Sequence, residues 1–258
     1  MKILIVGDIY SKLGRKAFTS GLAKIKEKET INFLIVNGEN ISHGKGMNEN
    51  HYKWLLGQGV NVVTLGNHAF HNKDIFNYIN EAKNIVRPAN IETEYGVGFV
   101  TKNYNNLTIT VIQVLGQIFM HGNNIKNPFL VVEEILENTK SDIYICDFHG
   151  EATSEVIAFG HYFTGKIDII FGTHTHVQTN DACILNGKTA YITDVGMTGA
   201  LESVIGVKKD IILKRFLGQN TLRFEPENDG KTQFSAILVD YDEQLKKVSK
   251  IETIRIIE

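Results

Sequence analysis

Cysteine and proline are both scarce in this chain, with two and three residues among 258. Two thiols, Cys146 and Cys183, cannot build a disulfide framework, and each sits in an apolar run that reads as a core strand. So little proline excludes Pro-rich linkers and low-complexity spacers. Charge of one sign is missing as well: 27 Lys and Arg face 29 Asp and Glu, a formal net charge of −2. A protein that grips long nucleic acid through many phosphates carries a basic excess, so an extended nucleic-acid surface is excluded. No apolar run approaches the ~20 residues of a membrane span. The opening MKILIVGD is too short and too weakly basic for a signal peptide. The expectation is a soluble, cytoplasmic protein without a membrane partner. Hydrophobic residues at 43% and charged residues at 22% are those of a folded chain, and 23 glycines imply many tight turns.

What is present alternates in period. Ile3 to Val6, Phe33 to Val36 and Asn61 to Leu65 are continuous apolar runs, as expected of strands covered on both faces. Helical patterns lie between and after them, at about residues 15–28, 49–58 and 73–82. This β-α-β-α order predicts a parallel sheet with helical crossovers. From Val97 the texture changes to a mixed sheet, with a strand over 107–115, helices over 130–138 and 152–163, and strands over 143–146 and 167–171. The tail reads as mostly β, over 183–185, 189–193, 211–217, 234–239 and 248–256, with turns at Gly187 and Gly218. The fold class is therefore α/β, and with no linker or internal repeat residues 1–258 read as a single domain.

The chemistry collects where strands end. Apolar runs stop in Gly7-Asp8, Gly38-Glu39-Asn40, Gly66-Asn67-His68, Asp147-Phe148-His149-Gly150-Glu151 and Gly172-Thr173-His174-Thr175-His176. In an α/β sheet the carboxyl ends of the strands form the rim where ligands bind. Carboxylates, amides and imidazoles together suit divalent transition metals better than Ca or Mg, and the candidate groups suffice for two ions.

The order GD, GEN, GNH, HGE and GTHTH resembles that of the calcineurin-like metallophosphoesterases, over roughly the first 180 residues. The runs NGEN, LGNH, RPAN, DFHGEATSE, GTHTHVQT and TDVGMTG are similar to the YmdB-like bacterial branch, whose characterised members hydrolyse cyclic nucleotides. The resemblance implies a four-layer α/β/β/α sandwich of two mixed β-sheets flanked by helices. It implies that Asp8, Asn40 and His176 hold one metal, that Asn67, His149 and His174 hold the other, and that Glu39 bridges them. A hydroxide between the ions would attack a phosphodiester in line, and His68 would stabilise the phosphoryl charge and protonate the leaving oxygen. The implied substrate is a small cyclic nucleotide, 2′,3′ or 3′,5′. Two other readings stay open: a phosphatase or nuclease on other phosphate esters, and a regulatory nucleotide- or RNA-binding protein with incidental turnover. Self-association into a homo-oligomer is a further expectation from the resemblance, with no face identified.

The chain departs from the wider superfamily at two positions. Asp8 is followed by Ile9 and Tyr10 in place of Asp-x-His, and the bridging residue is Glu39 in place of Asp. Both are shared with the YmdB-like branch, and the harder first site favours Fe or Mn, with Zn as the other choice. His71 stands where an acidic residue is expected. Bland roles are assigned to His43, His51, His71, His121 and His161, and Glu151 reads as a carboxylate in the first turn of a helix. The Asp194 to Gly199 run reads equally as a loop bearing substrate contacts or as structure. Lys208, Lys209, Lys214 and Arg215 read equally as a group that attracts a phosphorylated ligand or as alternating positions on an exposed strand.

Overall fold

The structure is a computed structural model and describes residues 1–120, 124–219 and 221–258. In chain order the elements are β1 (Lys2–Val6), β2 (Asp8–Ile9), α1 (Ser11–Lys26), β3 (Phe33–Asn37), α2 (Glu49–Gly57), β4 (Val62–Thr64) and β5 (Ile85–Val86). Next come β6 (Phe99–Tyr104), β7 (Leu107–Leu115), α3 (Pro128–Asn138), β8 (Ile143–His149), α4 (Thr153–Tyr162) and β9 (Ile169–Thr173). The chain finishes with β10 (Cys183–Leu185), β11 (Thr189–Ile192), β12 (Met197–Ala200), α5 (Lys209–Phe216), β13 (Thr232–Asp242) and β14 (Lys247–Ile257). Among the described residues no helix is long and apolar enough to cross a membrane.

Two mixed sheets form the centre. The first runs β2-β12-β13-β1-β3-β4-β5, with β14 on the other side of β13; the second runs β10-β11-β9-β8-β7-β6. β1, β3, β4 and β5 are parallel, and so are β7, β8, β9 and β11. Parallel neighbours need crossovers, which is why the helices cover the outer faces. Alternation along each strand sends one set of side chains to each side. Ile3, Ile5, Phe33 and Ile35 meet Val111, Ile145, Ile169 and Phe171 between the sheets. Leu4, Val6, Leu34 and Val36 pack outward with Phe18, Leu22 and Leu55 from α1 and α2. Ile112, Val114, Cys146 and Phe148 pack outward with Val132, Val156 and Phe159 from α3 and α4. These three cores between four layers give the expected α/β/β/α sandwich.

Several elements differ from the sequence reading. Residues 211–217, expected as a strand, lie in helix α5, whose buried residues are Ile211 and Ile212. A short β-branched run does not distinguish strand from helix, whereas Asp210 in the first turn and Lys214 and Arg215 in the last turn suit a helix dipole. The basic group at 208–215 therefore sits on and beside a helix instead of a strand. The third expected helix contracts to a 3-10 turn over Lys73–Asn77, capped by the Asn72 side chain. Cys183 lies on an edge strand and is exposed, while Cys146 is buried as expected. The RPAN run is stitching: Asn90 accepts from the Leu115 N–H and donates to the Leu115 and Lys126 carbonyls.

Candidate metal centre

The two sheets bring the polar strand ends to one edge. Asp8 comes from β2, Glu39 and Asn40 from the turn after β3, Asn67 from the turn after β4, His149 from the end of β8, and His174 and His176 from the loop after β9. All seven residues come together. His149 Nε2 lies 2.9 Å from Asn67 Oδ1, 3.1 Å from His174 Nδ1 and 3.3 Å from Glu39 Oε1. His176 Nε2 lies 3.3 Å from Asn40 Oδ1 and 3.9 Å from Asp8 Oδ1. Glu39, His149 and His174 each offer a ligand atom within 4.8 Å of the others. Asp8 is fully buried, and its Oδ1 has no hydrogen-bond partner among the described residues.

Local backbone choices make this convergence work. In an extended strand His174 and His176 would share a face with Thr175 opposite. Here the chain leaves β9 and both histidines take positive φ, 110° and 65°, which turns one ring toward His149 and the other toward Asn40. Non-glycine residues are uncommon in that region and need support. Asp194 supplies it: Oδ2 accepts from the Thr175 N–H and hydroxyl at 2.9 and 2.8 Å, and Oδ1 accepts from the Gly196 N–H at 2.7 Å. Gly66 provides a close approach, because a Cβ there would lie 2.4 Å from Glu39 Oε2 and from His149 Cε1.

A buried relay behind the cluster fixes one ring. The Thr173 hydroxyl donates to Asp147 Oδ1 at 2.7 Å, so its oxygen is left to accept from His149 Nδ1–H at 2.8 Å. That tautomer turns the Nε2 lone pair toward the cluster. Asn37 and Gln113 donate to the other Asp147 oxygen. In the same way Glu151 sits 3.1 Å from His174 Nε2, which leaves Nδ1 facing His149. Glu151 precedes helix α4, so it is a cleft residue and not a first-turn carboxylate. The sequence reading missed the roles of Asp147, Thr173, Asp194 and Glu151. The spacing of Asp147 and His149 was the available signal, since residues two apart on a strand share a face.

Charge is shared across the buried groups. Burial pushes Asp8 well above the usual carboxylate range, while His149 pulls it back and Glu39 adds to the rise. Burial alone would raise Glu39 too, but His149 and the His68 N–H overcome it and hold Glu39 well below its ordinary value. Burial disfavours the charged His149 ring, yet Glu39 and then Asp8 lift it to about 9. His174 and His68 are lowered by burial to about 3 and about 4, and His176 is lowered in the same way. A cation requires neutral imidazoles and charged carboxylates, a state that His174, His176 and Glu39 already favour and that its binding would impose on His149 and Asp8 by displacing their protons.

The other histidines separate. His51 is satisfied by the Ser42 hydroxyl at 2.7 Å, and His121 lies outside the described residues. His71 instead meets His68, Nδ1 to Nδ1, at 3.2 Å. His68 lines a cleft of about 360 Å³ with Glu39, Asn40, His174 and His176.

A family model described as YmdB-like protein matches residues 4–254. The chain is 42% identical to the 2′,3′-cyclic-nucleotide 2′-phosphodiesterase of Bacillus subtilis (strain 168), over 99% of this chain and 97% of the relative. Among solved structures, a novel phosphatase of Mycoplasma pneumoniae is 38% identical with a TM-score of 0.94, over 100% of this chain and 93% of that one. A hypothetical protein of Thermus thermophilus is 35% identical with a TM-score of 0.92, over the full length of both chains. With the whole length matched at this identity, the chain belongs to the YmdB-like protein family.

Proposed function

We propose that this chain is a metal-dependent phosphodiesterase acting on small cyclic nucleotides, with 2′,3′-cyclic esters as its first substrate class and 3′,5′-cyclic esters as a second. The relatives are named phosphodiesterases and phosphatases, which supports a phosphoric ester hydrolase. The observation that carries the metal is the buried Asp8 Oδ1, a carboxyl oxygen with no hydrogen-bond partner among the described residues, next to imidazole nitrogens and amide oxygens at 2.9 to 3.9 Å. An unpaired buried charge is costly, and a cation is the partner that would offset it.

The donor set fits two divalent transition metals. Asp8, Asn40 and His176 would hold one, Asn67, His149 and His174 the other, and Glu39 would reach both. The oxygen-rich first set favours Fe or Mn over Zn. When bound, such ions supply Lewis acidity that neutralises phosphoryl charge and lowers the pKa of water. The chain's own groups do the rest. Glu151 and Thr173 orient His174 and His149. His68, with Nδ1 engaged by His71, keeps Nε2 for the leaving oxygen.

Assays of purified protein with Mn, Fe or Zn against a chelated control test this reading. Metal-replete protein is expected to open 2′,3′-cyclic nucleotides to monophosphates, and Glu39→Gln is expected to lower the rate by at least about a hundredfold. Parallel assays on RNA and phosphomonoesters separate the phosphatase and nuclease readings. Binding of cyclic nucleotide without any release of monophosphate by metal-replete protein would overturn the enzymatic reading in favour of a binding protein.

A further inference from the structure

The cleft above the candidate metal centre has a second part that the metal chemistry does not use. Besides the polar cluster it is lined by Tyr10, Ile205, Val207, Ile212 and Phe224. This carbon-rich part is built, not incidental. Tyr10 meets the His176 ring edge-on, with centroids 5.6 Å apart. Gly206, at φ 95°, passes directly over Tyr10, and a Cβ there would lie 2.4 Å from the ring. Only glycine allows the following Val207 to enter the wall at that height.

Phe224 is fastened to the same segment. The Lys208 N–H donates to the Glu225 carbonyl at 3.0 Å, the Glu227 N–H donates to the Gly206 carbonyl at 2.9 Å, and Val207 bridges to Pro226. From α5 the Arg215 guanidinium lies 4.5 Å from the Phe224 centroid, and its Nη1 donates to the Leu222 carbonyl at 2.6 Å. Phe224 is thus held from both sides along the chain and approached by a cation, and the residue is 51% exposed and lines the cleft. A ring fixed in place beside the polar cluster offers an apolar surface that a planar group can cover. The volume of about 360 Å³ is sufficient for a ligand of mononucleotide size.

We propose that Phe224, backed by Arg215, is the platform on which the nucleobase stacks while the phosphodiester lies at the Glu39–His149–His174 cluster. This rests on the cyclic-nucleotide reading above and assigns the half of the ligand that the metals do not touch. Stacking on a ring face is tolerant of base identity, so all four bases are accepted and purines are favoured by their larger area. Arg215 acts as a positioning residue, since it fixes the ring without reaching the base.

Two measurements on the metal-loaded protein test it. In calorimetry, wild type is expected to bind a nucleoside 3′-monophosphate about tenfold tighter than ribose 3-phosphate, which lacks a base. Phe224→Ala is expected to remove that advantage, Phe224→Trp to keep it, and Arg215→Ala to lose part of it. In kinetics, Phe224→Ala is expected to raise KM for a 2′,3′-cyclic nucleotide about tenfold with kcat little changed, and to affect ribose 2,3-cyclic phosphate far less. The inference is overturned if the base brings no gain in wild-type binding, or if the gain survives in Phe224→Ala. Absence of turnover with base-dependent binding intact counts against the hydrolase reading and leaves the platform supported.

Discussion

The Nδ1 atoms of His68 and His71 lie 3.2 Å apart, with the two rings edge to face. Between neutral imidazoles this contact needs one N–H and one lone pair, so the two tautomers are tied together. When His71 donates, His68 must carry its proton on Nε2, the nitrogen left for the cleft. His71→Phe is therefore expected to lower kcat on a 2′,3′-cyclic nucleotide about tenfold or more. Turnover of a p-nitrophenyl diester should fall much less, because that leaving group departs without a proton. Steady-state kinetics on both substrates check this, with His71→Asn recovering part of the loss. Equal losses on both substrates would indicate a structural effect.

Gly66→Ala places a methyl group where Glu39 Oε2 and His149 Cε1 already stand at 2.4 Å. Neither neighbour is free to move, since Glu39 accepts from His68 N–H and His149 is held by Thr173. The expected outcome is a folded protein that retains cations at least about tenfold more weakly. The strain should cost about 1–3 kcal/mol of stability. Metal content after dialysis, read beside circular dichroism, checks both parts.

Thr173→Val keeps the side-chain shape and deletes the hydroxyl that joins Asp147 to His149. Two fully buried polar groups lose a partner, which is expected to cost about 1–3 kcal/mol. His149 is then free to adopt the other tautomer, so metal affinity should fall about 10–100-fold. Thr173→Ser is expected to restore both, as measured by thermal unfolding and metal titration.

Asp168 offers a pH dependence away from the candidate metal centre. Burial raises its carboxyl from the ordinary 3.8 to about 6, although the Tyr144 N–H donates to it at 2.9 Å. Between those values the folded chain binds more protons than the unfolded chain, so stability falls as pH rises through the window. Above about pH 6 the full penalty is present. Asp168→Asn keeps an oxygen for Tyr144 and removes the charge. It is expected to be more stable than wild type at pH 7.5 by about 1 kcal/mol, a modest figure because the residue is only partly buried. The advantage should vanish at pH 4, and melting curves across that range decide it.

Much of this architecture is legible in the sequence alone. Apolar runs that stop at glycine-flanked polar residues mark the strand ends, and parallel topology then brings those ends to one edge. What is hidden depends on neighbours distant in sequence. Ile211-Ile212-Leu213 carries no period that separates strand from helix, and only the burial of the first two, with Leu213 left exposed, resolves it. Asp147 and Thr173 sit inside strands, where their pairing appears only once β8 and β9 lie side by side. Glu151 looks like a helix-dipole carboxylate until the His174 loop folds back over it. Phe224 lies in a stretch with no periodicity, so nothing local distinguishes it from a loop residue.

The order of the first sheet also constrains when the cleft can exist. β13 pairs with both β1 and β12 along its length, and β12 in turn carries β2, the two-residue strand that presents Asp8. The Lys2–Asp240 ion pair across β1 and β13 joins positions 238 apart. A carboxylate encoded within the first ten residues is thus paired with a strand that begins at Met197. Closing so long a loop carries an entropic penalty that nearby contacts cannot offset in advance. A nascent chain that has made only β1 to β11 lacks both the β12 partner of Asp8 and the Ile205 carbonyl that meets His176 Nδ1. The cleft is therefore complete only when the C-terminal strands are present, and a half-made chain carries its histidines without a competent centre.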